Sequence, residues 1–168
     1  MPVSRQLLKP VKLSFIVLTF LVGLVLDLVP WGPGMRQMLP DSIALLLLYW
    51  CMNQPSHVGV GWAFWLGLTL DLADGNTFGQ HSLAYVASCY LVLSRHRQLA
   101  MFPLWQQAIY IAPLLLLNQA IMVAVRLVTG APFPGWSYFV GPLIGMLAWP
   151  LLSYLLQIPQ RKEKPAEL

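Results

Sequence analysis

Long apolar runs, broken only by short clusters of proline, glycine and charge, dominate this sequence and fix the solvent in which it can fold. Only 10% of its 168 residues are Asp, Glu, Lys or Arg, while 58% are hydrophobic. A soluble domain carries roughly 25% charged residues, so this chain cannot cover a water-facing surface and must meet lipid. A helix crossing a bilayer takes about 20 apolar residues. The length therefore allows about six crossings with short connections and no separate soluble domain. The expected fold is an all-α integral membrane protein, a six-transmembrane-helix bundle.

The breaks divide the chain. The first run, residues 13–29, follows the basic residues Arg5, Lys9 and Lys12 in the manner of a signal peptide. It leads into Pro30-Trp31-Gly32-Pro33 with no small-x-small cleavage site, so a retained first helix is expected. Residues 30–40 read as a turn. A second segment starts near Asp41 and contains the apolar run 43–52. A break at 53–57 precedes a third segment, 58–73, and a turn-rich connection at 74–79. The fourth segment, 81–94, ends in the basic break Arg95-His96-Arg97. The fifth, 104–128, contains Pro113; the sixth, 136–158, contains Pro142 and Pro150. Neighbouring helices can satisfy the backbone groups that such prolines free. Residues 1–12 are expected to form a cytoplasmic N-terminal segment, 13–158 the membrane domain, and 159–168 a charged cytoplasmic tail.

The second segment is short enough for a re-entrant hairpin, and charge decides between that and a crossing. With six crossings, one side holds Arg5, Lys9, Lys12, Arg95, Arg97, Arg161, Lys162 and Lys164, and the other only Arg36 and Arg126. The basic side is cytoplasmic by the positive-inside rule. A hairpin would invert every later segment and leave the N-terminal side in the minority. Both termini are thus expected in the cytoplasm of a multi-pass inner-membrane protein. Trp31, Trp136 and Tyr138 then fall near the outer interface, and Tyr49, Trp50 and Trp105 near the inner one, levels that tryptophan and tyrosine favour. The net charge of +4 sits at segment ends as a topology signal and implies no nucleic-acid partner. Cys51 and Cys89 lie in apolar runs without metal-like or disulfide-like spacing and read as small core residues.

All four aspartates, Asp27, Asp41, Asp71 and Asp74, fall in the outer half of this topology, as do Arg36 and Arg126. An acid at membrane depth costs a few kcal/mol on insertion scales and faces protein or water. Asp27, Asp71, Asn118, Gln119 and Arg126 are therefore a candidate outer-half polar cluster. Two readings of its acids stand side by side: an outward-facing site for a ligand, ion or partner, or structural caps of helix starts and partners of Arg126. Asp41 after Pro40 reads as the N-cap of the second segment, and Asp74-Gly75 as turn chemistry. Asn118 and Gln119 suit interhelical hydrogen bonds, each contributing about 0.6 kcal/mol.

Gly59, Ala63, Gly67 and Asp71 recur every four residues and share one helix face; Gly141 and Gly145 have the same spacing. Small residues so placed let another helix approach closely. The five small residues are candidates for helix packing within the bundle or for a partner interface. No catalytic constellation emerges. His57 and His96 fall on one side of the expected topology and His81 on the other, which excludes a shared three-histidine metal site. There is no phosphate loop, dinucleotide fingerprint or nucleophile motif, so neither enzyme activity nor a cofactor is expected.

The stretch LLLLYWCMNQPSHVGVGWAFWLGLTLDLADGNTFGQHSLAYVASCY, Leu45 to Tyr90, resembles the rod shape-determining MreD family. LDLVPW at the end of the first helix, LWQQA from Leu104 and AWPLL from Ala148 fit in order and spacing, so the resemblance covers most of the chain. It implies a non-enzymatic scaffold of the bacterial wall-elongation machinery that binds MreC and supports peptidoglycan synthesis along the lateral wall. Through MreC it implies indirect association with the glycosyltransferase RodA, a penicillin-binding transpeptidase and MreB filaments. The family's topology is similar to the six-helix S components of ECF vitamin transporters. That similarity implies an alternative: a binding protein for a small molecule or lipid, with an outward-facing pocket. No catalytic residues carry over.

Overall fold

A computed structural model describes residues 11–32, 34–75 and 78–160, and these form helices and connections without a strand. In chain order the helices are α1 (Leu13–Leu28), α2 (Met35–Met38), α3 (Ser42–Asn53), α4 (Val60–Asp74), α5 (Gln80–Leu99), α6 (Leu104–Val128) and α7 (Val140–Gln157). Six are long and α2 is a single turn. A 3-10 turn, Trp136–Phe139, leads into α7, and another, Ile158–Gln160, follows it. Two helical stretches, Leu104–Val128 and Trp136–Gln160, are long and apolar enough to cross a membrane.

Hydrogen bonds between ends show the long helices alternating in direction. Asp27 near the end of α1 meets the first amides of α3, and Asp71 near the end of α4 meets those of α5. At the opposite end, Gln107 in α6 donates to the Leu99 carbonyl that closes α5. Gln160 beyond α7 donates to Tyr49 in α3.

α3 is the hub. It touches α1, α4, α5, α6 and α7, and every residue from Ile43 to Met52 is buried. A helix apolar on all sides belongs inside a bundle, and LLLLYW is such a run. With 12 residues, α3 is roughly 18 Å long at 1.5 Å per residue. Its neighbours surround it along its whole length.

Several expectations need correction. Tyr49 and Trp50 are fully buried among the helices, so whatever their depth they present no surface to lipid or water. The Trp50 indole donates to Thr19 Oγ1 at 3.0 Å, and the Tyr49 hydroxyl accepts from Gln160. Trp105 and Trp136 are strongly exposed. Arg95-His96-Arg97 do not break the fourth segment, because α5 runs on to Leu99. Cations in a last turn favour the negative end of the helix dipole, so the basic triplet suits a helix end better than a loop. Residues 30–40 contain the extra turn α2. Cys51 and Cys89 are joined as a disulfide between α3 and α5, with Cα atoms 6.4 Å apart and a sequence separation of 38. A pairing made across two helices leaves no local spacing to read. The N-terminal segment lies outside the described residues apart from residues 11 and 12, and the charged tail apart from residues 159 and 160.

The small-residue stripe of α4 lies against α5. Ala63 is fully buried, and Gly59 approaches Leu93. A Cβ added at Gly67 would lie 2.5 Å from the backbone of Ser82, so the two helices touch through backbone there. On α7, a Cβ at Gly141 would meet the Leu39 carbonyl at 2.9 Å, and one at Gly145 would meet Leu115 at 2.8 Å. Gly67→Ala is therefore expected to destabilise the fold by about 1–3 kcal/mol, the usual cost of overpacking. Gly61→Ala, where an added Cβ meets nothing within 4 Å, should be neutral or stabilise by about 0.5–1 kcal/mol through helix propensity. Unfolding of both variants in detergent, followed by tryptophan fluorescence, compares them; equal midpoints would refute the tight α4–α5 contact.

Candidate functional site

The first amides of a helix have no partner within it. Where such a start is buried, an anion meets both the free N–H groups and the positive end of the helix dipole. α3 starts within the bundle and receives two carboxylates. Asp41, its N-cap, accepts from the Ala44 amide at 2.8 Å, and its other oxygen accepts from the Tyr85 hydroxyl at 2.6 Å. Asp27 reaches over from α1 to accept from the Ser42 and Ile43 amides at 3.1 and 2.9 Å.

α5 is held in the same way from α4. Asp71, fully buried, accepts from the amides of Gly79 and His81 at 2.9 and 3.1 Å and from Ser82 at 3.4 Å. The His81 ring lies 2.8 Å from it through Nδ1. Asp71 is one turn beyond Gly67, so the same close approach that brings Gly67 onto Ser82 brings the Asp71 carboxylate onto the α5 amides. Gly79, with φ 91°, occupies the left-handed region that favours glycine and turns the chain into α5.

Above the start of α3 lies an open cavity of about 580 Å³, walled by the ends of the surrounding helices. This falls within the roughly 300–1,000 Å³ of small-molecule sites. Of the five candidate polar residues, Asp27, Gln119 and Arg126 line it, whereas Asp71 and Asn118 do not. Asn118 lies deeper, where its Oδ1 accepts from Ser88 Oγ at 2.6 Å and so bonds α6 to α5. Sequence reading left out Gln80, Tyr85 and Tyr138, which also line the cavity. His81 and Tyr85, four apart on one face of α5, carried a readable signal; Gln80 and Tyr138 did not. Arg36 on α2 pairs with Asp74 at 2.6 Å and ties the rim to the end of α4. Gln80 and Gln119 are 3% and 6% exposed, yet neither side-chain oxygen has a hydrogen-bond donor. Among the described residues no group of three metal-binding side chains occurs.

Comparison with known proteins gives a family. The family model described as rod shape-determining protein MreD matches residues 9–158. The chain is also 33% identical over 152 residues to the rod shape-determining protein MreD of Haemophilus influenzae, covering 90% of this chain and 91% of that protein. No solved structure matches significantly.

The bonds to Asp71 set an expected order of stability. Asp71→Ala strips the acceptor from three amides and breaks a buried pair, which costs about 3 kcal/mol or more. Asp74→Ala removes a pair whose arginine is 47% exposed, and exposed pairs contribute about 0–1 kcal/mol. SDS-induced unfolding of the two variants should separate them clearly; comparable losses would mean that Asp71 does not hold the start of α5.

Proposed function

The chain belongs to the rod shape-determining MreD family, and from that premise we propose that it is a non-enzymatic inner-membrane scaffold of the wall-elongation machinery. In this reading residues 13–158 cross the membrane six times, both termini are cytoplasmic, and the bundle binds MreC. Through MreC it supports peptidoglycan synthesis by RodA and its transpeptidase, in register with MreB. Family membership over nearly the whole chain is the observation that carries the proposal.

Burial supports the membrane part. On α7 the buried face is Gly141, Gly145, Trp149 and Ser153, while the opposite stripe of Leu143, Leu147, Leu151 and Leu155 is 52–73% exposed. A soluble helix buries its leucines and exposes its serines. The reverse order suits a helix whose outer face is solvated by lipid. Polar residues follow the same rule on α5, where Gln80, Ser82 and Ser88 are buried and Leu83, Tyr90 and Leu91 exposed.

The same burial limits where a partner helix can sit. Gly67, Gly141 and Gly145 already receive this chain's own helices, so MreC would dock on an outward apolar face and not on those glycines. A second reading, an S-component-like binding protein, is favoured by one observation, the polar cavity at the start of α3.

Two measurements test the first reading. Reporter fusions should place Arg97 in the cytoplasm and Gly130 outside it; a periplasmic signal at Arg97 would sink the six-crossing topology. In a rod-shaped bacterium depleted of its own family member, this chain should restore rods and co-purify with tagged MreC. Round cells despite normal insertion, with no MreC recovered, would overturn the scaffold role.

A further inference from the structure

α2 closes one side of the cavity but is seated at one end only. Among the described residues it touches the start of α7 and the 3-10 turn before it, and no other helix. Its last end is fixed there. A Cβ at Gly141 would meet the Leu39 carbonyl at 2.9 Å, and one at Gly145 would meet Pro40 at 3.5 Å. No residue of α2 itself is buried. Its backbone bonds stay local: Met35 N donates to the Gly32 carbonyl, and Leu39 N to that of Met35. At the first end, Gly34 has φ 86°, in the left-handed region that favours glycine, and an added Cβ there would meet nothing within 4 Å.

Across the mouth of the cavity, side chains alone hold α2. Arg36 reaches Asp74 at the end of α4, with Nη2 2.6 Å from Oδ1. Toward α7, Ser137 Oγ donates to Gln37 Oε1 at 3.4 Å. Arg36, Gln37 and Asp74 all line the cavity, so the ion pair spans its opening. Met35 and Met38 do not line it and are 57% and 45% exposed, so no apolar burial fastens the segment over the space. An ion pair as exposed as this one shifts an equilibrium by no more than about fivefold. Segments with few buried contacts and exposed polar bonds are the ones that open first.

We propose that α2 is a lid hinged at Leu39–Pro40, with the Arg36–Asp74 pair as its latch. Latched, the lid lies over the space above the start of α3. Released, it swings about its seat on Gly141 and Gly145 and opens that space to the surroundings. Hinges are commonly a few residues at the end of an element, and here the seat on α7 supplies the fixed side. A latch of this strength holds the lid closed without locking it. Ionic strength, and any charged group that competes for Arg36 or Asp74, therefore sets the fraction that is open. Neither the topology nor a partner enters this device, so its test is separate from those of the scaffold role.

The test uses the full chain in lipid nanodiscs, with spin labels on Met35→Cys in α2 and Leu72→Cys in α4, two exposed positions. Cys51 and Cys89 are buried and joined, so they take no label. Pulsed electron spin resonance should give a main short distance and a minor longer one. Arg36→Gln and Asp74→Asn should each raise the ratio of long to short up to about fivefold. Salt at about 1 M, where screening acts within about 3 Å, should shift the unmodified latch the same way. Reversing the pair, Arg36→Asp with Asp74→Arg, should restore the short distance. A second label pair, Leu72→Cys with Leu147→Cys on α7, should keep one distance throughout. The same single α2–α4 distance with and without the latch would make α2 a fixed wall and overturn the proposal. So would a latch variant that lengthens the Leu72–Leu147 distance, because the pair would then hold the bundle and not a lid. A reversed pair that fails to restore the short distance would equally overturn it.

Discussion

A helix that begins inside a protein brings in amide groups that its own turns cannot satisfy, and this constraint organises the whole structure. α3 and α5 both begin this way. The chain answers with Asp27, Asp41 and Asp71, and two of these acids lie near the C-terminal ends of other helices. A carboxylate there is unfavourable for its own helix dipole. Asp27 in α1 and Asp71 in α4 are explained by the neighbours they serve. Each fixes two antiparallel helices end to end, which sets the level at which the neighbour starts.

Close approach makes the second of these bonds possible. Gly67 lets the backbone of α4 reach that of α5 at Ser82, and Asp71 then lies within hydrogen-bonding distance of three amides. Small residues at intervals of four therefore act here with an acid in the same register. Ser82 Oγ strengthens the junction by donating to the Phe64 carbonyl at 3.2 Å. On the other side of the bundle, Gly145 and Gly141 seat α7 against α6 and the entry to α3.

Helix positions were legible because apolar runs and proline or glycine breaks are local signals. The fifth segment, 104–128, coincides with α6 even though Pro113 lies inside it. What a run does in three dimensions was less legible. An all-apolar stretch such as LLLLYW reads equally as a short span, a hairpin or a central helix, and only its contacts with five neighbours distinguish them. Tyr49 and Trp50 looked like interface residues because hydropathy cannot see Thr19 or Gln160 waiting for their polar atoms. Of the polar cluster, Gln119 and Arg126 were found because seven residues bring them to one face of a helix. Gln80 and Tyr138 were missed because the cavity joins the ends of several helices, and no periodicity within one segment reports that meeting.

The shortness of α3 explains why a cavity exists at all. α6 is roughly 38 Å long by the same rise per residue that makes α3 roughly 18 Å. A hub so much shorter than its neighbours leaves space at its end, and that space opens where Asp27 and Asp41 cap it. Capping accounts for those acids, and packing accounts for the glycines around them. Neither accounts for the unpaired oxygens of Gln80 and Gln119, because leucine at either position would fill the same volume at a lower desolvation cost. A docking body for a partner helix needs only outward faces. Such unpaired buried atoms are not confined to that space, since Asn118 Nδ2, Ser153 Oγ and Gln160 Oε1 share the condition without lining it.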